Sequence, residues 1–176
     1  MRRAITPTGR ERKLEEESFI VSRTDPTGKI TYANRVFMEI SGYPERDLIG
    51  VQHNLIRHPD MPRGVFHFLW EELAAGREFL GFVKNLCSNG DHYWVFASVN
   101  PEYDPDKTTR GYYSVRRRPP DSAIAAIDPI YREMLRIEQG CSSKKQAPKE
   151  SLNYLQELLS GKGVSYEQFV LDLYLA

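Results

Sequence analysis

The stretch EFLGFVKNLCSNGDHYWVFASVNPEY, residues 78–103, decides the fold. It contains two runs rich in aromatic and β-branched side chains, a composition typical of β-strands. The pair Asn89-Gly90 lies between the two runs and favours the tight turn of a hairpin. A third run of the same kind, TRGYYSVRRR at residues 109–118, follows a polar connection. The sequence therefore predicts three consecutive antiparallel strands.

A shorter hairpin precedes these strands. FIVSRTDPTGKITYAN, residues 19–34, predicts a strand, a four-residue turn at residues 25–28, and a second strand. Between the two β regions, residues 34–76 carry apolar side chains at helical spacing, with Gly42 and Gly76 as helix ends. The order β-β-α-α-α-β-β-β predicts an α+β fold, in which a five-stranded antiparallel sheet is covered on one face by a helical insert.

Charge, hydropathy and cysteine content exclude several function classes. The 176 residues carry 24 basic and 24 acidic side chains, so no overall charge favours nucleic acid, and none is expected as a partner. No apolar run approaches the ~18 residues of a membrane span, and the polar start lacks a secretory signal, so we expect a cytoplasmic protein. Cys87 and Cys141 are far apart and predict neither a disulfide framework nor a zinc site.

The regions outside the sheet domain differ in composition and define the domain boundaries. The C-terminal hairpin, broken at SGKGVS, is too short to bury its apolar faces alone, so it is expected to dock on the sheet domain, on a second copy or on a partner. The predicted segments are a charged helical extension at 1–18, the sheet domain at 19–119, a connecting helix at 120–138, a polar linker at 139–149 and a helical hairpin at 150–176.

A polar cluster marks the entrance to the last insert helix. In NLIRHPDMPRGVF, residues 54–66, Arg57 presents a planar fork of donors that suits either a phosphate or the carboxylate of Asp60. His58 is held extended by Pro59 and is either a polar packing residue or a ligand-binding one. Asp60 is expected to cap the helix and to orient Arg57. In the helix itself, the apolar stripe is Phe66, Leu69, Trp70 and Leu73, and its first interpretation is core packing.

Strand alternation gives a second candidate surface. Phe79, Gly81, Val83 and Asn85 share one face of their strand and combine an aromatic ring, a gap, an apolar side chain and a neutral amide. This lining suits a planar heteroaromatic ring, to which the amide offers both a donor and an acceptor. From the residues alone, a purely structural role for Asn85 is the favoured interpretation, because most strand amides are structural.

Catalytic and metal sites find little support. The loop cluster lacks a Ser or Cys nucleophile in a recognisable motif. His53 and His58 lie five positions apart with no second pair of ligands. Residues 34–76 contain no cysteine that could form a flavin adduct, and no GxGxxG fingerprint is present. The sequence predicts no catalytic residue, no metal ligand and no enzymatic turnover.

Several short motifs of the sequence resemble those of a known protein family. ITYAN, EISGY, HNLIRHPDMP, VKN, NGDHYWV and GYYSVRRRP are similar to the flavin-binding PAS module of bacterial aerotaxis transducers, and the resemblance covers roughly residues 19–135. It implies the PAS fold, noncovalently bound FAD and sensing of redox state or oxygen. The candidate cofactor-binding residues are Asn34, His53, Arg57, His58, Asp60, Trp70, Phe79 and Asn85.

The sequence also departs from the family. Phe79 stands where the family usually has tryptophan, which keeps an aromatic wall but removes the indole N–H donor. Aerotaxis transducers continue into a membrane anchor and a signalling coiled coil, and neither pattern occurs here. We therefore expect output through the C-terminal helices, as a homodimer or with a signalling protein. The alternative is a PAS interaction module whose pocket is empty or holds a different ligand.

Overall fold

In a computed structural model that describes residues 5–176, a single five-stranded antiparallel sheet has the order β2-β1-β5-β4-β3. The strands are β1 Ile20–Thr24, β2 Ile30–Ala33, β3 Phe79–Leu86, β4 His92–Tyr103 and β5 Thr109–Arg117. The helices are α1 Arg35–Ser41, α2 Glu45–Leu48, a 3-10 helix His53–Ile56, α3 Arg63–Ala74, α4 Asp121–Gly140, α5 Ala147–Lys162 and α6 Tyr166–Leu175. The predicted α+β architecture, a five-stranded antiparallel sheet with a helical insert, is confirmed.

The two faces of the sheet meet different helices. The insert α1 to α3 covers the face that we call the inner face. The outer face of β3 and β4 is covered by the C-terminal helices: Trp94 stacks on Tyr131 of α4 at 6.2 Å, and Phe96 stacks on Tyr174 of α6 at 4.4 Å between ring centroids. The Tyr131 hydroxyl donates to the Phe82 carbonyl at 2.8 Å, which satisfies a backbone acceptor on an edge strand.

The turn between β3 and β4 lies at the predicted Asn89-Gly90 pair. Gly90 has φ +93°, a conformation that other residues rarely adopt. A side chain there would begin 2.3 Å from the carbonyl oxygen of Thr6, because the N-terminal segment crosses the turn. Glycine is therefore required twice at this position, by its backbone angle and by the close approach of the chain.

The predicted helix over residues 1–18 is wrong for residues 5–18; residues 1–4 lie outside the described residues. The segment is extended instead, because its backbone bonds to the β3–β4 turn: Thr8 N donates to Gly90 O at 2.8 Å and Arg12 N donates to His92 O at 2.7 Å. The Arg12 guanidinium also donates to the Ile40 carbonyl at 2.7 Å. Tertiary hydrogen bonds override the helix propensity of the charged run.

The C-terminal helices follow the predicted order with shifted bounds. Only residues 141–146 connect α4 to α5, because α5 begins earlier, with Pro148 in its first turn where the missing N–H costs nothing. Gly163 ends α5 in the left-handed conformation. The α5–α6 hairpin docks on the chain's own sheet domain, the first of the three possibilities that the sequence left open, and Leu155 and Val170 are fully buried there. Among residues 5–176, no helix is both long and apolar enough to cross a membrane.

Candidate functional site

A cavity of about 280 Å³ lies between the inner face of the sheet and the helical insert. The stripe of α3 that the sequence assigned to core packing forms one wall, because Phe66, Leu69, Trp70 and Leu73 all line the cavity. The facing wall is strand surface from β3 and β4, including Val83 and Ala97. We call the space between these two apolar walls the slot.

The opposite end of the cavity from the α3 stripe carries a buried cation, Arg116 of β5. Its guanidinium donates to Ser22 Oγ, approaches His53 Nε2 at 3.3 Å and lies 4.6 Å from the centre of the Phe37 ring. Its Nε has no hydrogen-bond partner, and among the described residues no carboxylate forms an ion pair with it. Burial lowers the pKa of Arg116 to about 10, so the side chain stays charged at neutral pH.

A buried cation without a counter-charge is costly. Proteins keep such groups where a ligand, or a protein group, supplies the missing negative charge or acceptor. Because Arg116 lines the cavity, its charge makes this part of the cavity suited to an electron-rich group.

His53 is a neutral acceptor in the same region. Burial, followed by the nearby Arg116 charge, lowers the pKa of His53 to about 3. Because a guanidinium can only donate, His53 Nε2 accepts and Nδ1 carries the proton. This histidine is therefore uncharged across the physiological range.

Asn85 and Arg57 lie together at the edge of β3. Asn85 is buried, and its backbone forms an isolated bridge with that of Arg57, so the loop after the 3-10 helix lies along the strand edge. The Arg57 guanidinium lies 4.5 Å from the centre of the Phe66 ring and donates to the Met61 carbonyl at 3.0 Å. Both side chains line the cavity and present an amide and a cation to it.

The structure brings four of the eight candidate residues to the cavity: His53, Arg57, Trp70 and Asn85. Asn34 lies elsewhere and has a clear structural task. Its Oδ1 accepts from Phe37 N and from Val21 N, both at 3.1 Å, so it caps α1 and ties that helix to β1.

His58 and Asp60 project to the other side of the loop. The Asp60 carboxylate pairs with Lys84 Nζ at 2.7 Å, and His58 Nδ1 accepts from the Asp60 backbone at 3.1 Å. Burial, more than the neighbouring Lys84 charge, lowers the pKa of His58 to about 4. The expectation that Asp60 caps α3 and orients Arg57 is wrong, because Lys84 on the neighbouring strand holds the carboxylate and Pro62, the N-cap residue of α3, makes no side-chain hydrogen bond.

The first half of the inner face of β3 is covered by α6. Phe79 packs against Phe68 of α3 and Tyr166 of α6, with ring centroids 6.2 and 6.1 Å apart. The Tyr166 hydroxyl lies 2.6 Å from the point where a side chain at Gly81 would begin. Phe79 and Gly81 therefore border an aromatic cluster, while Val83 and Asn85 from the same face reach the cavity.

Sequence reasoning missed Arg116. Three adjacent arginines at a strand end, such as residues 116–118, are usually solvated, so the triplet itself gives no sign of a buried cation. Strand alternation was the available signal, since it places Tyr112, Ser114 and Arg116 on one face and Arg117 on the other. All three residues of that first group line the cavity. Within residues 5–176 there is also no cluster of three or more His, Cys, Asp or Glu side chains suited to a metal ion.

Comparison with known proteins shows which family the domain around this cavity belongs to. Residues 30–116 match the PAS fold family. The aerotaxis receptor of Escherichia coli K12 is 41% identical over 132 residues, which cover 75% of this chain and 25% of the receptor. The nitrogen fixation regulatory protein of Klebsiella pneumoniae is 27% identical over 104 residues, 59% of this chain and 21% of that protein. The chain thus spans about a quarter or less of these relatives.

Solved structures share the fold at low sequence identity. The light-oxygen-voltage (LOV) domain of a blue-light-activated histidine kinase from Erythrobacter litoralis EL346 has a TM-score of 0.52 at 18% identity, covering 57% of this chain and 94% of that domain. A light-oxygen-voltage domain whose mechanism was probed with a flavin analogue has a TM-score of 0.55 at 18% identity, covering 62% and 82%. At this identity the likeness concerns the fold alone.

Proposed function

The chain carries a PAS domain, homologous to that of an aerotaxis receptor, and from this premise we propose that it binds FAD noncovalently in the cavity and senses redox state or oxygen. The observation that carries the proposal is the flat apolar slot with a buried, uncompensated Arg116 at one end. We place the protein in the cytoplasm, where its output passes to a second copy or to a signalling partner.

The cavity residues suit the isoalloxazine ring of a flavin. The α3 stripe and the β3–β4 surface would sandwich the ring faces. The Asn85 amide can donate and accept at the ring's imide edge, and the positive charge of Arg116 would favour an electron-rich carbonyl beside it. At about 280 Å³ the cavity is near the lower end of small-molecule sites, ~300–1,000 Å³, so it would hold the ring and not a whole dinucleotide.

The remainder of FAD would leave through the mouth of the cavity. Trp70 is 45% exposed there and meets Tyr112 edge-on at 5.3 Å between ring centroids. Arg57, on the loop beside the mouth, offers the planar donor fork that suits a phosphate. These groups would orient the extended part of the cofactor while the sheet holds its ring.

Signalling in this proposal needs no turnover. A bound flavin supplies reversible electron transfer, with a proton taken up on the ring. The hydrogen-bond demand on Asn85 would then change, and Asn85 is fixed in β3, next to Lys84 and close to Phe82. Because Phe82 accepts from Tyr131 of α4, a shift of β3 would reach the C-terminal helices directly.

The direct test is a visible spectrum of the purified full chain. A flavin spectrum that bleaches with dithionite, returns in air, and comes from a released nucleotide identified as FAD supports the proposal. A colourless protein that cannot be reconstituted with FAD would contradict it and favour the alternative, a PAS interaction module with an empty or different pocket.

A further inference from the structure

Three helices meet at one buried carboxylate, Glu138 near the end of α4. Its Oε1 accepts from the backbone N–H of Gly64 at 2.8 Å and from Ser151 Oγ at 2.7 Å. Its Oε2 lies 3.7 Å from Arg63 Nε, and the Glu138 side chain is only 7% exposed. The residues belong to α3, α4 and α5, so a single carboxylate joins all three.

The carboxylate supplies what the first turn of α3 lacks. Pro62, at the N-cap position, makes no side-chain hydrogen bond, so the first N–H groups need another acceptor. Glu138 accepts from Gly64 in that turn, and its negative charge suits the positive end of the helix. The cap of the insert helix therefore comes from the C-terminal region, about seventy residues later in the chain.

Helices α3 and α5 approach closely at the same point. A side chain at Gly64 would begin 2.2 Å from Ser151 Oγ and 2.8 Å from the Pro148 carbonyl oxygen. Arg63 extends the contact by donating to the Lys144 carbonyl in the connection before α5. Glycine at position 64 thus lets α5 pack directly on the backbone of α3.

Helix α3 has the cavity on one side and the C-terminal hairpin on the other. Phe66 and Leu69 line the cavity, whereas Gly64 contacts α5. The loop that carries Arg57 leads directly into α3, and the Glu138 carboxylate acts on Arg57 electrostatically, opposing the lowering of its pKa by burial. A displacement of α3 by a ligand would therefore reach both the Glu138 junction and α5.

We propose that Glu138 is a positioning residue that clamps the α5–α6 hairpin to the cavity wall, so that occupation of the cavity and docking of the hairpin are coupled. The coupling rests on the proposed function for its ligand, whereas the clamp does not. Coupling is reciprocal: if FAD favours the docked hairpin by some factor, a chain whose hairpin is undocked binds FAD more weakly by the same factor.

The test follows amide hydrogen exchange in α5 of the full chain, without and with FAD, together with the dissociation constant of FAD. Glu138→Ala removes the clamp, and Glu133→Ala is the matched control, since Glu133 lies on the same helix and pairs with Arg136 on the surface. Without FAD, Glu138→Ala should speed exchange in α5 on the order of tenfold or more, because hydrogen bonds to a buried charge are lost. Glu133→Ala should leave it unchanged.

With FAD, α5 of the wild-type chain should exchange more slowly, and Glu138→Ala should weaken FAD binding in step with the fraction of chains whose hairpin it undocks, at most by the factor of that slowing. Ser151→Ala is a milder version for the case that Glu138→Ala unfolds. Gly64→Ala is informative because alanine favours an isolated helix, yet here it should speed exchange in α5.

Three outcomes distinguish the clamp, the coupling and the proposed function. If Glu138→Ala and Ser151→Ala leave exchange in α5 unchanged without FAD, the clamp is wrong. If FAD binds the wild type but neither protects α5 nor loses affinity in the variants, the coupling is wrong and the proposed function stands. A wild-type chain that cannot bind FAD overturns the proposed function and the coupling, and the measurement without FAD still decides the clamp.

Discussion

The two faces of the sheet are filled in opposite ways. On the outer face, the chain supplies its own partners: aromatic rings stack between β4 and the C-terminal helices, and the edge carbonyl of Phe82 receives a hydroxyl from Tyr131. On the inner face, a cavity remains, and Arg116 keeps an unpartnered donor inside it. Packing on the outer face therefore stabilises the fold, whereas the inner face keeps a buried charge whose unfavourable free energy a ligand can offset.

The largest expected effect lies in the docked C-terminal hairpin, which packs against α3 on the side away from the cavity. Leu155 of α5 is 1% exposed, so Leu155→Ala should lower the free energy of unfolding by about 2–5 kcal/mol through lost burial and a cavity. Urea unfolding measures it. Leu175→Ala, at a leucine that is 79% exposed, is the control and should stay within about 0.5 kcal/mol of the wild type. Equal effects of the two changes would mean that the hairpin does not dock as described.

On the inner face, Asn85→Ala should weaken FAD binding by about 1–3 kcal/mol, because a buried ring edge loses its partner. Asn100→Ala is the control, since that amide bonds to Glu78 and Ser98 on the outer side of β4. Fluorescence titration of the reconstituted protein gives both dissociation constants. If the two variants bind FAD alike, Asn85 has only the structural role.

The buried histidine of the cavity, His53, should also affect how the stability of the chain depends on pH. The pKa of His53 in the folded chain is about 3, below the ordinary histidine value of 6.5, so the folded state resists protonation while the unfolded state accepts it. Stability is complete above about pH 6.5 and falls as the pH drops towards 3. Between pH 7 and pH 5 the loss from His53 should be about 1–2 kcal/mol.

Urea unfolding without FAD at several pH values measures this slope. His53→Gln should flatten it, whereas His67→Gln, at an exposed histidine of α3, should leave it intact. His58, with its pKa near 4, contributes a slope of the same sign that remains in both variants. A slope unchanged by His53→Gln would show that His53 is not buried as a neutral ring.

The smallest effect concerns the hydroxyl on the outer side. Tyr131→Phe removes one hydrogen bond to the Phe82 carbonyl and keeps the stacking on Trp94, so it should cost about 1 kcal/mol of stability. Tyr103→Phe, at a half-exposed ring, is the control. Thermal unfolding compares them, and equal melting temperatures would indicate that water replaces the Tyr131 hydroxyl without loss.

The sequence predicted the sheet, the insert and the last three helices because each rests on local patterns: strand alternation, Asn-Gly at the turn, and helical spacing. It predicted the slot only in part. The stripe of α3 shows the same spacing whether it faces core or cavity, so Trp70 could not be assigned by pattern. The covering of Gly81 by Tyr166, and the pairing of Asp60 with Lys84, depend on residues far apart in the chain.

The prediction of a helix in the N-terminal segment was wrong for the same reason. Its charged residues favour a helix locally, whereas its bonds to Gly90 and His92 form only once the β3–β4 turn exists. Arg116 differs, because the signal was local. Alternation along β5 places Arg116 and Arg117 on opposite faces of the strand. Three adjacent arginines also fit a solvated patch, and that interpretation hides Arg116.

These two adjacent arginines allow the most direct test of the central claim, that the inner face keeps an unpaired cation for its ligand. Arg117 is exposed and lies over Phe19 on the outer side, 5.2 Å from the ring centre. FAD affinity and urea stability without FAD would be measured for Arg116→Met and Arg117→Met. We predict that Arg116→Met weakens FAD binding at least about a hundredfold while stability holds or rises, since an uncompensated buried charge is removed. Arg117→Met should change neither. An Arg116→Met chain that binds FAD like the wild type, or that loses stability without losing affinity, would contradict the account.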